Sequence, residues 1–128
     1  MIIRVDSRFG PPLYLQIEQQ VKHAIAAGAL KPNDLLPPVR KLAAELRINP
    51  NTVAHAYRNL EREGILRTVP GGGCYIKGES SGLPRSERLR RLKPLATQLA
   101  VEAKQLKLAH EEVLNLLEES YSELGEAQ

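Results

Sequence analysis

The chain has 128 residues, enough for one domain or for a small domain with an extension. It has no long uncharged apolar run that could form a transmembrane helix, and its first residues lack the pattern of a signal peptide. Its single cysteine, Cys74, can form neither an internal disulfide nor a zinc finger. We therefore expect a cytoplasmic protein with no membrane partner, no metal and no cofactor.

The formal net charge of +3 is unevenly spread along the chain. The first 79 residues hold 11 basic and 7 acidic side chains, whereas residues 80–128 hold 7 and 8. A basic first part suits a polyanionic partner, although a bias of this size is also common in ordinary proteins.

The first predicted elements are a short strand and a helix. Ile2–Val5 alternates weakly between apolar and polar residues, which is typical of a strand. Apolar side chains then recur at three- and four-residue spacing from Leu13 to Ile25, which predicts an amphipathic helix that Gly28 is suited to end. The residues Lys31–Asp34 are predicted to form a turn.

Two short apolar-periodic segments come next, Val39–Leu46 and Val53–Leu60. Asn49 is a good N-cap for the second segment, Pro50 is a good first helical residue, and Gly64 is suited to close the helix. Neither helix is long enough to be stable alone, so both must pack on neighbours.

A hairpin follows the two helices. Ile65–Val69 and Cys74–Lys77 are predicted as strands around a Pro-Gly-Gly-Gly tip. Two short helices, a tight turn and a glycine-tipped hairpin make up a winged helix-turn-helix, which reads DNA. The predicted fold class is therefore mainly α with a small β-hairpin. We divide the chain into a winged helix-turn-helix DNA-binding domain at 1–78, a linker at 79–84 and a helical dimerisation tail at 85–128.

The tail shows a seven-residue repeat of apolar positions, in two rows offset by four, as in a coiled-coil seam. We predict a dimer interface along this seam, and Pro94 should kink the helix or separate two helices. His110 is better explained as a tolerated polar residue than as a metal ligand, but at a dimer axis it could make assembly pH-sensitive. The predicted interface residues are Leu92, Leu99, Leu106, His110, Val113 and Leu117.

Long segments of the first part resemble a known family. Leu36–Ala43 and Asn49–Gly64 closely resemble the DNA-binding domain of GntR-type bacterial transcription regulators, and Pro12–Ile17 and Gly71–Ile76 extend the likeness over residues 11–77. The short remainder is similar to that of the YtrA-like subfamily, whose helical tails form the dimer. The resemblance implies a repressor.

A helix that enters the major groove presents its N-terminal residues to base edges. We therefore predict base contacts from Asn51, Thr52 and His55, since asparagine can bond adenine and threonine can touch a thymine methyl group. Asn49 is expected to be a helix cap first and a DNA contact second, and His55 is equally well explained as an ordinary surface histidine.

Further contacts complete the predicted DNA-binding set. Resemblance to the family implies that Arg40 contacts DNA, and Arg58, one turn further along the third predicted helix, suits a phosphate. We predict that Gly71 and Gly72 at the wing tip let main-chain amides approach the DNA backbone closely.

The sequence departs from the family pattern at four places. Lys41 stands where the family often has a glutamate of a capping box, and we expect it to strengthen sequence-independent binding. Arg47 replaces a common turn glycine, and either it accepts a left-handed conformation or the turn relaxes. Ala54 and Gly72 stand where relatives often have arginines, so recognition should rely more on Asn51-type contacts and on DNA shape.

We predict a sequence-specific transcriptional regulator, a repressor that binds an inverted-repeat operator in double-stranded DNA as a homodimer. A small-molecule effector, if there is one, would bind between the tail helices or in a crevice against the DNA-binding domain. No catalytic constellation is present, so we do not expect an enzyme. The alternatives are a winged-helix protein-interaction scaffold and a nonspecific DNA-binding protein.

Overall fold

The computed structural model describes residues 3–8, 10–77 and 84–125, which fall into two compact units. We call the described residues up to 77 the head and those from 84 onward the tail. The predicted linker lies outside the described residues except for Pro84.

The head contains three helices and a two-stranded antiparallel sheet, which confirms the predicted fold class. The predicted helices and the turn between the second and third are all found. The elements are α1 Leu13–Ala26, α2 Val39–Leu46, α3 Pro50–Arg62, β1 Leu66–Val69 and β2 Gly73–Ile76.

The core of the head lies where the apolar faces of the three helices meet the base of the hairpin. Each helix contributes the stripe that its periodicity predicts, and burying one such side chain stabilises the fold by about 1.5–3 kcal/mol. Fully or almost fully buried apolar side chains are Ile17, Val21, Leu36, Val53, Ala56, Leu60 and Leu66.

Three polar pairs along one side join α1 to α3. The Tyr14 ring stacks on the His55 ring with centroids 4.0 Å apart. One turn further, the buried carboxylate of Glu18 accepts a 2.9 Å hydrogen bond from Asn59 Nδ2. After another turn, Lys22 Nζ lies 2.9 Å from a carboxylate oxygen of Glu63. Because both partners advance by four residues each time, α1 and α3 run in the same direction, and we call these pairs the α1–α3 ladder.

The ends of α1, α2 and α3, and of the helix Arg85–Gln105 in the tail, share one hydrogen-bonding pattern. In each, a left-handed residue follows the helix, and the next N–H bonds a carbonyl five residues back, which is the Schellman motif. After α2, Arg47 N bonds Ala44 O at 3.3 Å and Ile48 N bonds Ala43 O at 3.0 Å. The left-handed residues are Gly28, Arg47, Gly64 and Lys107, with φ of 81°, 58°, 81° and 57°.

The predicted strand at Ile2–Val5 is wrong for the residues that the structure describes. Residues 3–6 are extended but lie along α1 rather than beside another strand, and Ile3 enters the core. The alternation that indicated a strand reflects one-sided burial, while side chains of α1 supply the hydrogen bonds that a neighbouring strand would give.

The two strands of the hairpin are close to their predicted bounds. β1 begins one residue later than predicted and ends at Val69 as predicted, and β2 begins and ends one residue earlier than predicted. The hairpin register pairs Leu66 with Ile76 and Val69 with Gly73. Gly71 and Gly73 take positive φ angles of 75° and 97°, which explains the need for glycine at this tip.

The tail is a pair of helices, α4 Arg85–Gln105 and α5 His110–Gly125. The prediction that two helices meet near Pro94 is wrong, because α4 continues through Pro94 and the break falls at residues 106–109. The residues on both sides of Pro94 are exposed, so water can bond the carbonyl that the proline leaves without a partner. At the break, Leu108 N bonds Ala103 O at 2.9 Å, and Ala109 N bonds the Glu112 side chain at 2.9 Å.

The break changes the predicted seam. Instead of one continuous stripe, Leu92 and Leu99 on α4 face Leu117 on α5 across an open apolar groove. Leu106 is 67% exposed at the end of α4 and does not line this groove, and its predicted place in the dimer interface stays a prediction. Two adjoining cavities of about 380 and 460 Å³ make up the groove, and we call it the tail groove.

One hydroxyl joins α3 to the turn before α2, and its removal should destabilise the head. Tyr57 Oη donates a 2.7 Å hydrogen bond to Pro37 O. Burial, with smaller contributions from Cys74 and Glu45, raises the pKa of the Tyr57 phenol, so it remains a donor at neutral pH. We expect Tyr57→Phe to lower the free energy of unfolding by about 1–2 kcal/mol in denaturant titrations. Tyr121→Phe, at an exposed tail tyrosine, should change it by less than about 0.5 kcal/mol, and equal effects would contradict the role of the bond.

The left-handed residue after α2 gives a second prediction. A side chain at φ 58° costs about 1 kcal/mol, so Arg47→Gly should be more stable than Arg47→Ala by about that amount. Two residues earlier, inside the helix, the order should reverse, with Glu45→Gly less stable than Glu45→Ala by about 1 kcal/mol. Thermal and urea unfolding of the four variants would decide the matter, and the same order at both positions would refute it.

Candidate nucleic-acid interface

The outer face of α3 is opposite its buried stripe. Val53, Ala56 and Leu60 are buried in the core, which leaves Asn51 and Arg58 exposed on the far side. A rigid helix with polar side chains on one exposed face has the form that a major-groove reader needs.

Asn49 begins this helix, as predicted. Its Oδ1 accepts a 2.8 Å hydrogen bond from Asn51 N, and its main-chain oxygen accepts a 2.9 Å bond from Thr52 N. The cap occupies the side-chain oxygen but not the NH₂ group, so Asn49 can offer DNA a donor. The same bonds fix the backbone under Asn51 and Thr52, the residues predicted to meet base edges.

His55 is neither a free surface side chain nor a core residue. Its ring is half-buried and stacks on Tyr14, the planes inclined at 21°. The stack lies at the edge of the outer face, on the side towards α1. It fixes the position of the imidazole and leaves less of it accessible than the sequence suggested. The role of Tyr14 was missed, although the matching four-residue spacings along the α1–α3 ladder were present in the sequence.

The start of α2 presents Arg40 and Lys41, both exposed. Pro38 occupies the N-cap and makes no side-chain cap bond, and the first turn contains no acidic residue. The helix therefore begins with uncapped amides and two cationic side chains, as the missing capping box predicts. The Tyr57 bond to Pro37 O links this end of α2 to α3, so that the two basic residues and the outer face of α3 belong to one rigid unit.

The conformation of Arg47 decides between the two possibilities expected for the turn between α2 and α3. The turn does not relax, because Arg47 adopts the left-handed conformation and completes the Schellman motif. The side chain is exposed beside the first turn of α3.

The wing tip is exposed at Gly71 and Gly72. A Cβ atom at position 72 would lie 2.9 Å from Val69 Cγ1, whereas one at position 71 would meet nothing within 4 Å. An arginine at position 72, as relatives often have, would therefore require Val69 to move. On the strand behind the tip, Arg67 is not simply solvated, since its guanidinium lies 4.8 Å from the Tyr75 ring centroid.

The predicted tail residues belong to a different unit from these head residues. Leu92, Leu99, His110, Val113 and Leu117 line the tail groove, and His110 is exposed at the first position of α5.

Within residues 3–8, 10–77 and 84–125, no three His, Cys, Asp or Glu side chains come together so that they could hold a metal ion. None of the helices in this part of the chain is long and apolar enough to cross a membrane.

Known proteins resemble the chain over both units. Residues 13–76 match the family described as bacterial regulatory proteins, gntR family. The chain is 41% identical over 102 residues to the HTH-type transcriptional repressor YtrA of Bacillus subtilis (strain 168), an alignment that covers 80% of this chain and 78% of that protein.

Solved structures give the same picture. A transcriptional antiterminator from Listeria monocytogenes EGD-e matches with a TM-score of 0.86 and 26% identity, over 97% of this chain and 92% of that one. The DNA-binding domain of AraR in complex with operator ORE1 matches with a TM-score of 0.50 and 25% identity, over 59% of this chain and 93% of that one. With a family match over half its length and a YtrA relative alike over most of both proteins, the chain belongs to the GntR family, resembles its YtrA-like members, and is a DNA-binding transcription regulator rather than an enzyme.

Proposed function

We propose that two copies of this chain bind an inverted-repeat operator as a homodimer and repress transcription from it in the cytoplasm. The observation that carries the proposal is the exposed outer face of α3, which begins at the capped Asn49 and is held rigid by the core behind it.

Base recognition is assigned to the first turn of α3. Asn51 is exposed there and can bond an adenine edge with both its donor and its acceptor, and Thr52 beside it can contact a thymine methyl group. His55 contributes at the edge of this surface, within the limits that its stack on Tyr14 allows. Ala54 provides no long side chain, so discrimination rests on few residues.

Phosphate contacts are assigned around this first turn. Arg40 and Lys41 lie at the uncapped start of α2, and Arg58 lies further along α3. The side-chain amide of Asn49 lies at the N-cap of α3. Gly71 and Gly72 let the wing approach the DNA backbone without a side chain in between. These contacts position the head but carry no sequence information.

Dimerisation is assigned to the tail. A pair of helices with Leu92, Leu99 and Leu117 more than two-fifths exposed around an open apolar groove has an unfilled hydrophobic surface. A second tail would bury it, and a two-fold axis would set the heads for an inverted repeat. A small-molecule effector, if one exists, would have to compete for the same groove.

Operator recognition can be tested with one substitution on α3. Asn51→Ala should weaken binding to the operator by about 1–3 kcal/mol, measured by fluorescence anisotropy on DNA from upstream of the gene. Binding to scrambled DNA should change little, because the lost contacts are to bases. Asn115→Ala, at an exposed tail asparagine, is the control. Wild-type binding that is equally tight on scrambled DNA would instead support a nonspecific DNA-binding protein, and no DNA binding would support an interaction scaffold.

Dimer formation can be tested with two adjacent leucines of α5. Both are about half exposed in one chain, but only Leu117 lines the tail groove, while Leu116 does not. Leu117→Glu should shift the protein towards monomer in sedimentation velocity runs and weaken operator binding by at least about tenfold, whereas Leu116→Glu should leave both unchanged. Identical sedimentation of the two variants would argue against a dimer formed through this groove.

A further inference from the structure

The stack of Tyr14 on His55 differs in kind from the other two pairs of the α1–α3 ladder. Asn59 and Glu63, the α3 members of those pairs, each bond a polar partner on α1. The Tyr14–His55 pair is instead a contact between ring faces, with centroids 4.0 Å apart and planes inclined at 21°. It therefore makes no use of the polar atoms of its α3 side chain.

The two imidazole nitrogens of His55 are open to a ligand. Neither has a hydrogen-bond partner among the residues that the structure describes. Every fully buried side-chain nitrogen or oxygen in those residues has a partner, so both imidazole nitrogens must reach the surface. An imidazole nitrogen bonds in the plane of the ring, and at least one of the two carries a proton, so the edge beside the stack offers a donor.

His55 projects from the outer face of α3. Successive helical residues turn by about 100°, so His55 lies about 40° round the helix axis from Asn51 and one turn further along. The buried stripe of Val53, Ala56 and Leu60 is on the opposite side. The open edge of the imidazole therefore belongs to the same surface as the Asn51 amide.

Tyr14 holds this imidazole from a neighbouring helix. The Tyr14 side chain is half-buried and packs against the core, which restricts its ring, and the stack extends the restriction to His55. Ordering a mobile side chain on binding lowers affinity by about two- to tenfold, and a side chain that is already held avoids this loss.

We propose that Tyr14 is a positioning residue for base recognition. Its ring holds the His55 imidazole in one orientation, from which the open edge donates to a purine N7 in the major groove, next to the base that Asn51 contacts. Tyr14 itself touches no base, and its hydroxyl is not required. The inference rests on the proposed placement of α3 in the major groove and assigns part of the sequence discrimination to α1.

The first test separates the ring of Tyr14 from its hydroxyl. Affinity is measured by fluorescence anisotropy on operator and on scrambled DNA, and circular dichroism checks the fold. Tyr14→Leu keeps an apolar side chain against the core but cannot stack, so it should weaken operator binding by about fivefold and leave binding to scrambled DNA unchanged. Tyr14→Phe keeps the stack and should bind both DNAs as the wild type does. No loss in Tyr14→Leu, or an equal loss in Tyr14→Phe, would overturn the proposal.

A matched control loosens the opposite end of the ladder. Glu63→Gln removes the ion pair with Lys22, two turns along α3 from His55. It should leave the ratio of operator affinity to scrambled-DNA affinity unchanged. A fall in this ratio as large as that of Tyr14→Leu would mean that any loosening of α1 from α3 impairs recognition, which would refute a specific role of the stack.

A double-mutant cycle tests whether Tyr14 acts through the imidazole. His55→Ala should weaken operator binding, and Tyr14→Leu should then add less than about twofold, because the interaction that it removes is already absent. Additive losses, or no effect of His55→Ala, would contradict the inference.

Asn51→Ala keeps this inference separate from the proposed function. Operator preference that is lost in Asn51→Ala but retained in Tyr14→Leu would defeat the role of Tyr14 alone. Wild-type protein that binds operator and scrambled DNA equally well would defeat the proposed function itself.

Discussion

The burial of one side of α3 is the constraint on which the rest of the head depends. With Val53, Ala56 and Leu60 in the core, the opposite face of the helix has no alternative to facing outward. Two hydrogen bonds then fix the segments next to α3. The Asn49 cap fixes where the helix begins, and the Tyr57 hydroxyl holds the turn from which α2 starts. The side chains to which we assign base and phosphate contacts lie on different helices and thereby keep fixed relative positions, which would lower the entropic cost of binding DNA.

The α1–α3 ladder shows how a small core gains a unique arrangement. Apolar faces alone tolerate sliding, because their attraction depends little on direction. Glu18 is buried, so any slip that removed Asn59 would leave a buried polar group without its hydrogen-bond partner. The ladder therefore fixes the register between the two helices, and the stack of Tyr14 on His55 is the end of the ladder that lies at the edge of the outer face of α3.

The head could be predicted almost completely from the sequence, and the tail only in part. Hydrophobic periodicity reports which side of an element is buried, and in α1, α2 and α3 that was sufficient. It does not report where a helix stops when the stop carries no glycine or proline. Lys107 provides the left-handed turn after α4, and the seven-residue spacing continues across it, so one seam was predicted where two helices face each other. The docking of residues 3–6 escaped prediction because side-chain amides, not a second strand, bond its main chain.

The way in which Gln16 and Gln20 hold the main chain of residues 4 and 6 has a consequence for how such a protein can evolve. Amides that bond only main-chain N–H and C=O groups do not distinguish one side chain from another. Positions 4 and 6 can therefore change while residues 3–6 stay docked on α1, with proline excluded because it has no N–H to donate. Surface charge along α1 can thus drift between paralogues by substitutions that leave the core and the fold intact.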